Sequence, residues 1–549
     1  MPKIVECVPN FSEGQSKEVI DSIASAISSE ENVSLLDVDP GSSTNRTVYT
    51  FVGSPDAVVE AALKAARIAW KLIDMSKHKG EHPRMGALDV CPFIPVQGVE
   101  IEECIYCAKK FGEKLAAELN VPVYLYGLAS TQDYRKTMPQ IRAGEYEGLI
   151  EKLKHPQWKP DFGPSEFVSN WGATVTGVRK FLIAYNVNLL STKEQAHRIA
   201  LNVREQGRGK DKPGRLQHCQ AIGWWLEEHN LAQVSINLTD HDETPIHTAY
   251  EEVRKDAMEL NLAVTGSQIV GMVPLKAMLQ IANYYIQNEN LFVLEEDQKI
   301  HLAVNRLGLN SLGPFNPKER IIEYILPSEK KDSLIHQNLD HFIHGVAART
   351  PAPGGGSVAA TTAALGSALG TMVGLMTYGK KQWEHLDGQM RKLIPVIHKT
   401  MKDIIPIIDA DTHAFAEYME ACKLPSNTPE ETTTRDSATQ SGLMRAIDVP
   451  MNLARTINTV WDSVLELANI CNLNTKSDLQ VAVRCLETGV WGAFYNVMIN
   501  VDGIVDEGYR NKVSMEIQME VDRAQAFCKM VLDTLSERST KNLNLKPEL

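Results

Sequence analysis

The spacing of apolar and polar positions changes character once along the chain. Up to about residue 326, short alternating runs interleave with runs of helical period; beyond it only the helical period persists. Residues 3–8 alternate like a strand, and residues 17–27 place Ile20, Ile23, Ala24 and Ile27 on one helical face. Residues 33–38 and 47–52 read as strands. Ser54 then Pro55 reads as a helix start, with a capping side chain followed by a proline whose missing N–H costs nothing there. The helix after it carries Val59, Ala62, Leu63, Ala66, Trp70 and Ile73 on its apolar side, and residues 88–96 return to a strand. The order β-α-β-β-α-β is the ferredoxin-like arrangement, extended by a helix over 102–119 and a strand over 121–126. The same order recurs as strand 181–189, helix 193–205, strands 219–225 and 233–238, helix 248–260 and strand 263–270.

This predicts two related α/β subdomains, 1–180 and 181–326, with a cleft between them as the natural place for a ligand. Pro327, Ser328 and Glu329 open a polar linker over 327–334, and residues 335–549 predict a separate all-α domain. Its helices are expected over 389–424, 448–473, 477–486, 491–501 and 506–535. Thr428-Pro429-Glu430-Glu431 marks a further helix start, and the tail 542–549 is polar and expected to fray. The fold class is therefore α/β plus all-α.

Composition narrows the function classes. At 549 residues the chain exceeds one hydrophobic core and implies two to four domains. A net charge of -13 disfavours nonspecific nucleic-acid binding, which needs an excess of cations. The nine cysteines are scattered, and the close pair Cys104 and Cys107 falls within a helical run, which reads as two buried thiols of a reduced, cytosolic protein. No signal-peptide pattern opens the chain. The uncharged stretch 354–379 is rich in Gly, Ala, Ser and Thr, and reads as a helix buried by other helices rather than by lipid.

Candidate chemistry gathers in four places. Residues 78–86 pack His78, His82, two cations (Lys79 and Arg84) and two glycines into one loop. A histidine there serves as a base near neutral pH, and Arg84 is spaced to bind a carboxylate; a surface loop with ordinary ion pairs has the same composition. Asp37 and Asp39 alternate at a strand end, where an aspartate is placed to orient an imidazole or simply to end the strand. A third loop runs through Gly163, Pro164, Ser165, Glu166, Phe167, Val168, Ser169, Asn170, Trp171 and Gly172; it suits a flat heterocycle with amide edges, or a connection between subdomains. In the helical region, Pro351, Gly354, Gly355, Gly356 and Ser357 lead into a helix whose free N–H groups suit an anion or a polar ring edge. No Gly-Lys-Ser/Thr ending follows, so this is not a P-loop. Asp409 and Asp411 interrupt the apolar run around Ile404, Ile405, Ile407 and Ile408, where a carboxylate is costly unless paired or used; two residues apart on a helix, they point in different directions. Asp478, Asn496 and Asn500 are weaker polar candidates.

Three segments also carry a resemblance: 6–14 (Glu6-Cys7-Val8-Pro9-Asn10-Phe11-Ser12-Glu13-Gly14), 78–89 and 351–357. In that order and over essentially the whole chain, they resemble the formimidoyltransferase-cyclodeaminase family. The resemblance implies a bifunctional folate enzyme of histidine degradation. It would move the formimino group of N-formimino-L-glutamate to N5 of tetrahydrofolate, then cyclise the product to 5,10-methenyltetrahydrofolate with release of ammonia. It implies His82 as the transferase's catalytic histidine and 163–172 as the folate loop. It also implies a cyclodeaminase aspartate, carried to Asp411 with Asp409 two residues away. Asp39 as partner of the imidazole and Arg84 as carboxylate ligand are supporting assignments. Gly354, Gly355, Gly356 and Ser357 are the matching pocket segment. The resemblance further implies polyglutamylated tetrahydrofolate as substrate and carrier, no metal and no NAD. It implies a homo-octamer and a cytoplasmic location, with association to the Golgi, the centrosome and vimentin-type intermediate filaments. A scaffold with vestigial sites, or a nucleic-acid binder built on paired sheets, fits the intact His82 segment and the acidic charge less well.

Overall fold

The structure is a computed structural model and describes residues 3–325, apart from 43, 81 and 210, and residues 333–543. Residues 327–332 of the expected linker and 544–549 of the expected tail lie outside the described residues. The chain divides into two compact units, Met1–Ser328 and Glu329–Leu549.

The first unit opens with β1 (Ile4–Cys7), β2 (Asn10–Phe11), α1 (Lys17–Ser28), β3 (Val33–Gly41), β4 (Arg46–Gly53), α2 (Pro55–Leu72) and β5 (Leu88–Gln97). Then come α3 (Ile101–Leu119), β6 (Val123–Gly127), α4 (Met138–Arg142), α5 (Leu149–Lys154) and β7 (Thr174–Val178). β1 and β2 act as one interrupted strand, since both pair antiparallel with β4 on one side and β5 on the other. The sheet therefore runs β3, β4, β1/β2, β5, β7, β6, and β7 is parallel to both its neighbours. The periodic reading did not assign β7. Thr174, Thr176 and Gly177 spoil its apolar pattern, yet both threonines are fully buried because the strand is interior to the sheet.

One face of this sheet packs on α1, α2 and α3. Tyr49, Phe51, Phe93 and Phe111 lie in that core beside the alanine stripe of α2. Cys104 and Cys107 are buried on α3, where burial pushes their thiols up to about 12 and about 11. Thiols held in that range are protonated near neutrality and poor nucleophiles.

A second sheet follows: β8 (Ile183–Leu190), α6 (Lys193–Val203), β9 (Cys219–Leu226), β10 (Leu231–Leu238), α7 (Ile246–Glu259) and β11 (Ala263–Val270), ordered β11, β8, β10, β9 with every pairing antiparallel. α8 (Leu275–Asn288) and α9 (Glu296–Leu307), unassigned by the periodic reading, add Met278, Ile281 and Ile300 to its core, and short helices α10 (Pro317–Arg320) and α11 (Ile322–Ile325) follow. Ile4, Val52 and Ile94, on the first sheet's face away from its helices, belong to this second core. The two halves of the unit thus share apolar packing across that face.

In the second unit all regular structure among the described residues is helical. Its helices are α12 (Leu339–Ala347), α13 (Gly355–Leu375), α14 (Asp387–Cys422), α15 (Pro429–Asn458), α16 (Trp461–Ile470), α17 (Lys476–Val501) and α18 (Glu507–Leu543). The helix expected over 448–473 is instead broken at Thr459–Val460, and the two expected over 477–501 are one, because the glycines at 489 and 492 serve close packing rather than termination. A side chain at Gly489 or Gly492 would strike Ala363 or Ala359 of α13. α15 starts at Thr428, whose hydroxyl accepts from the Glu431 N–H in a capping box. α13 is long and apolar enough to cross a membrane by length and composition, and 56% of its most apolar window is buried inside the protein.

Candidate functional site

In the first unit the chemistry collects on the sheet face away from the helices. Asn10 on β2 and Arg46 at the start of β4 lie on neighbouring strands, and an Arg46 guanidinium N–H donates to the Asn10 side-chain oxygen. The 78–86 loop is tied down beside them by Asn45. Its amide donates to the Lys79 carbonyl (2.9 Å) and accepts from the Gly14 N–H (2.9 Å), while its own carbonyl meets His78 Nε2 at 2.8 Å. Asn45 has φ +47°, the left-handed conformation asparagine tolerates best among residues with side chains.

These ties bring Arg46 onto the half-buried His82, with Nη1 in contact with both ring nitrogens. Nδ1 lies 2.7 Å from the Pro83 carbonyl. One proton arrangement satisfies both partners: Nδ1–H donates to Pro83, and the Nε2 lone pair accepts from Arg46. The ring is then neutral, with Arg46 against its basic nitrogen. Burial, the Arg46 cation and, more weakly, Arg142 hold the imidazole below its usual range. Arg142, on α4, pairs with the fully buried Asp89 of β5, which also accepts from the Met85 N–H.

Arg46, Asn10, Asn45, Asp89 and Arg142 had no assigned role in the sequence reading. The usable signal was a polar residue on an otherwise apolar strand, as at Asp89 between Leu88 and Val90. Two sequence candidates take other places. The expected aspartate–imidazole contact is not made: Asp39 is exposed on outer strand β3, opposite Val48, and Arg46 of the intervening strand reaches the ring instead. Arg84 is not free for a substrate carboxylate. It is buried, makes a two-pronged pair with Glu147 (2.7 and 2.9 Å), meets Glu145 at 3.3 Å and donates to His78 at 3.2 Å.

The loop over 163–172 is joined to the histidine loop through the backbone. Ala87 N–H donates to Trp171 (2.8 Å) and Ala173 N–H to Met85 (3.1 Å), with Gly86 bridged to Gly172. Gly163 and Gly172 sit at φ +82° and +80°, and any side chain there would run into the Val121 or Met85 carbonyl. Between these anchors, Gly163, Ser165, Glu166 and Ser169 are exposed, Pro164, Phe167, Val168 and Asn170 half-buried, and Trp171 fully buried against Trp70. Phe167 packs on Tyr146, whose hydroxyl donates to the Ser169 carbonyl. Met75, His78, Lys79, Arg84, Tyr146 and Glu147 help line an open cleft of about 740 Å³.

In the second unit α13 begins at the glycine segment, and Asp411 of α14 lies against it. Its carboxylate accepts from the Ser357 N–H (3.0 Å) and hydroxyl (3.4 Å), and it packs so closely on Gly356 that a Cβ there would overlap it. Ser357 is held in turn by donating to the Ile408 carbonyl at 2.8 Å. Asn496 of α17 approaches from the other side, with Nδ2 placed 3.3 Å from where a Gly355 Cβ would be. Burial raises the Asp411 carboxyl above its ordinary range, against the two Ser357 hydrogen bonds. Asp409 faces elsewhere: it accepts from the Ser333 hydroxyl (2.7 Å) and the Leu334 N–H (2.6 Å), capping the short turn Leu334–His336. Asp478 stands in the first turn of α17, and Asn500 donates to the Asn496 carbonyl at 2.8 Å. Among the described residues no cluster of three or more His, Cys, Asp or Glu side chains could hold a metal ion.

Comparison with known proteins gives this geometry its context. Residues 4–179 match the N-terminal subdomain of the formiminotransferase domain, 184–327 the formiminotransferase domain, and 338–519 formiminotransferase-cyclodeaminase. Formimidoyltransferase-cyclodeaminase of Mus musculus is 60% identical over 539 residues, 98% of this chain and 100% of that protein. The chain belongs to the formimidoyltransferase-cyclodeaminase family. Shorter relatives match it in part. Glutamate formimidoyltransferase of Streptococcus pyogenes serotype M1 is 39% identical over 303 residues, 55% of this chain and 99% of that protein. Methenyltetrahydrofolate cyclohydrolase of Methylorubrum extorquens is 30% identical over 203 residues, 37% of this chain and 98% of that protein. This member of the family carries His82 with its two ring partners, Arg46 and the Pro83 carbonyl, in one compact unit and Asp411 over its glycine segment in the other.

Proposed function

We propose that the first unit transfers the formimino group of N-formimino-L-glutamate to N5 of tetrahydrofolate, releasing glutamate, and that the second unit closes the product to 5,10-methenyltetrahydrofolate with loss of ammonia. The observation that carries the first step is the half-buried His82 ring, whose two partners, the Pro83 carbonyl at Nδ1 and Arg46, are met together by the neutral imidazole. N5 gives up a proton as it attacks the formimino carbon; Nε2 receives it once substrate displaces Arg46 and returns it to the glutamate nitrogen as the bond from that nitrogen to the formimino carbon breaks. Arg46, so released, meets a carboxylate of formiminoglutamate. The 163–172 loop holds the folate beside it, and bringing both substrates to one face supplies much of the rate.

In the second step N10 attacks the formimino carbon and ammonia leaves. Asp411, with its raised proton affinity, carries the protons between them. The free N–H groups of Gly355 and Gly356 and the Asn496 amide supply donors to the bound folate. Asp39, exposed on the same sheet face, is assigned to stabilising the imidazolium through solvent; Arg84 is assigned to holding His78 and the loop in place. Asp409 caps.

The strand order of each sheet's first four elements, with the fourth beside the first and the third beside the second, supports a ferredoxin-like reading of both subdomains. We assign them to 1–180 and 181–326, the linker to 327–334 and the cyclodeaminase domain to 335–549. We further propose a cytoplasmic homo-octamer that uses polyglutamylated folate and associates with the Golgi, the centrosome and vimentin. Incubating the full chain with formiminoglutamate and tetrahydrofolate tests the function: methenyltetrahydrofolate and one ammonia per turnover are expected. Ammonia or glutamate release without the methenyl product, or no turnover at all, overturns it.

A further inference from the structure

Ser357 and Thr412 have no role in the reaction as derived above, yet their hydroxyls lie beside the carboxyl that carries the second step. Ser357 is fully buried in the first turn of α13, and Thr412 follows Asp411 on α14. Three oxygens surround the Ser357 hydroxyl: the Ile408 carbonyl at 2.8 Å, the Thr412 hydroxyl at 3.2 Å and the Asp411 carboxylate at 3.4 Å. A serine hydroxyl has a single hydrogen to give. At these distances it goes to Ile408, and Thr412 then donates its own hydrogen to the Ser357 oxygen. Rotation about the Ser357 Cβ–Oγ bond redirects the hydrogen to Asp411 and moves no backbone. The Ile408 carbonyl lies inside α14 and keeps its helical N–H partner in either case. Burial raises the proton affinity of Asp411, the N–H and hydroxyl of Ser357 lower it, and among the described residues no charged side chain on α13, α15, α16 or α17 adds to them. Of its titratable neighbours on α14, Asp409 is turned to Ser333 and Leu334, and His413 is exposed.

We propose that the Ser357 hydroxyl is a rotor that follows the charge of Asp411, donating to the carboxylate while Asp411 is ionised and to the Ile408 carbonyl once Asp411 holds a proton, with Thr412 as its anchor. The inference rests on the cyclodeaminase reading above and adds the positioning residues of that step. The formimino group enters as its amidinium cation. N10 bonds to the formimino carbon, its proton passes to Asp411, and the rotor turns to Ile408. The same proton then goes to the departing nitrogen, the bond from that nitrogen to the carbon breaks, and the rotor turns back. The methenyl cation and neutral ammonia leave, so atoms and charge balance and the enzyme gains no proton. A donor fixed on Asp411 would hold it ionised and weaken it as a base; no donor at all would leave a buried charge poorly met. Thr412, by donating into the Ser357 oxygen, strengthens the hydrogen bond that Ser357 makes in turn.

The test titrates the carboxyl itself in the full-length protein. Infrared difference spectra follow the protonated-carboxyl band that is absent from Asp411→Asn, in wild type, Ser357→Ala, Thr412→Val and Thr412→Ser. Ser357→Ala moves the midpoint of that band to higher pH, because the ionised form has lost a donor. Thr412→Val moves it less and in the same direction, and Thr412→Ser, which keeps the hydroxyl, restores the wild-type midpoint. The acid limb of kcat/KM for cyclodeamination of supplied 5-formiminotetrahydrofolate follows these midpoints. Ser357→Ala is slowed roughly tenfold to a hundredfold near neutrality, the loss of a hydrogen bond to a charged acceptor, and recovers as the pH is raised. The two Thr412 variants leave Ser357 in place and keep the test decisive should Ser357→Ala not fold. Midpoints that stay at the wild-type value in Ser357→Ala and Thr412→Val overturn the rotor and leave Ser357 a packing residue. Midpoints that move while the cyclodeamination limb stays fixed uphold the rotor and overturn instead the reading of Asp411 as the proton carrier.

Discussion

His82 and Asp411, the two groups proposed to carry protons, are held in place by different means. The imidazole sits on an irregular loop, fixed by a neighbouring turn, where burial and then the Arg46 and Arg142 cations lower its proton affinity. The carboxyl sits within a long helix, fixed by close packing on a glycine, and burial raises its proton affinity. The shift moves Asp411 toward the range where a proton is easily taken and returned, and keeps His82 unprotonated and ready to accept one. A loop site tolerates changes of shape but depends on its charges; a helix site depends on its contacts.

That contrast can be broken most decisively by removing each group. His82→Ala should lower formimino transfer on the order of a hundredfold or more and leave cyclodeamination of supplied 5-formiminotetrahydrofolate within about twofold; Asp411→Asn should do the reverse. Separate assays of the two half-reactions check this, and loss of both activities in either folded variant would end the comparison. Gly356→Ala sharpens the packing side: the added methyl displaces the Asp411 carboxylate, and a displacement of that kind costs cyclodeamination roughly tenfold or more, with transfer unaffected.

Arg46→Gln sharpens the charge side. The Arg46 cation helps to hold His82 low, so its removal raises the imidazole's proton affinity. The acid limb of the transfer rate, where His82 becomes protonated and inactive, should move toward higher pH. A pH profile of kcat/KM shows it, and a limb moving to lower pH contradicts the assignment. The smallest effect is expected from Asp409→Asn, which weakens the cap on Leu334–His336. It should cost about 1 kcal/mol of stability in denaturant unfolding of the second unit while sparing both rates.

Most elements of the first sheet were legible because its strands and helices keep clean periods: α1 is Lys17–Ser28 against an expected 17–27, and β5 Leu88–Gln97 against 88–96. What periodicity missed were elements whose burial is set by distant neighbours. β7 is interior despite two threonines, and Trp461 begins a new helix after a break no glycine or proline announces. The site was partly legible. His82 and Asp411 stand out as polar residues in charged or apolar surroundings. Arg46 as partner of His82 did not, because their contact joins residues 36 apart through the Asn45 staple, which only folding reveals. The different surroundings of Asp409 and Asp411 follow from helix geometry, but which of them meets the glycine segment depends on how α13 and α14 cross.

The most direct measurement mixes two full-length variants, His82→Ala and Asp411→Asn, each unable alone to convert formiminoglutamate and tetrahydrofolate to the methenyl product. If the imidazole carries only the first proton transfer and the carboxyl only the second, the mixture regains methenyltetrahydrofolate formation, followed by absorbance, as one variant makes the intermediate and the other consumes it. A mixture that stays inactive, although the Asp411→Asn protein accumulates 5-formiminotetrahydrofolate, would contradict the division of labour.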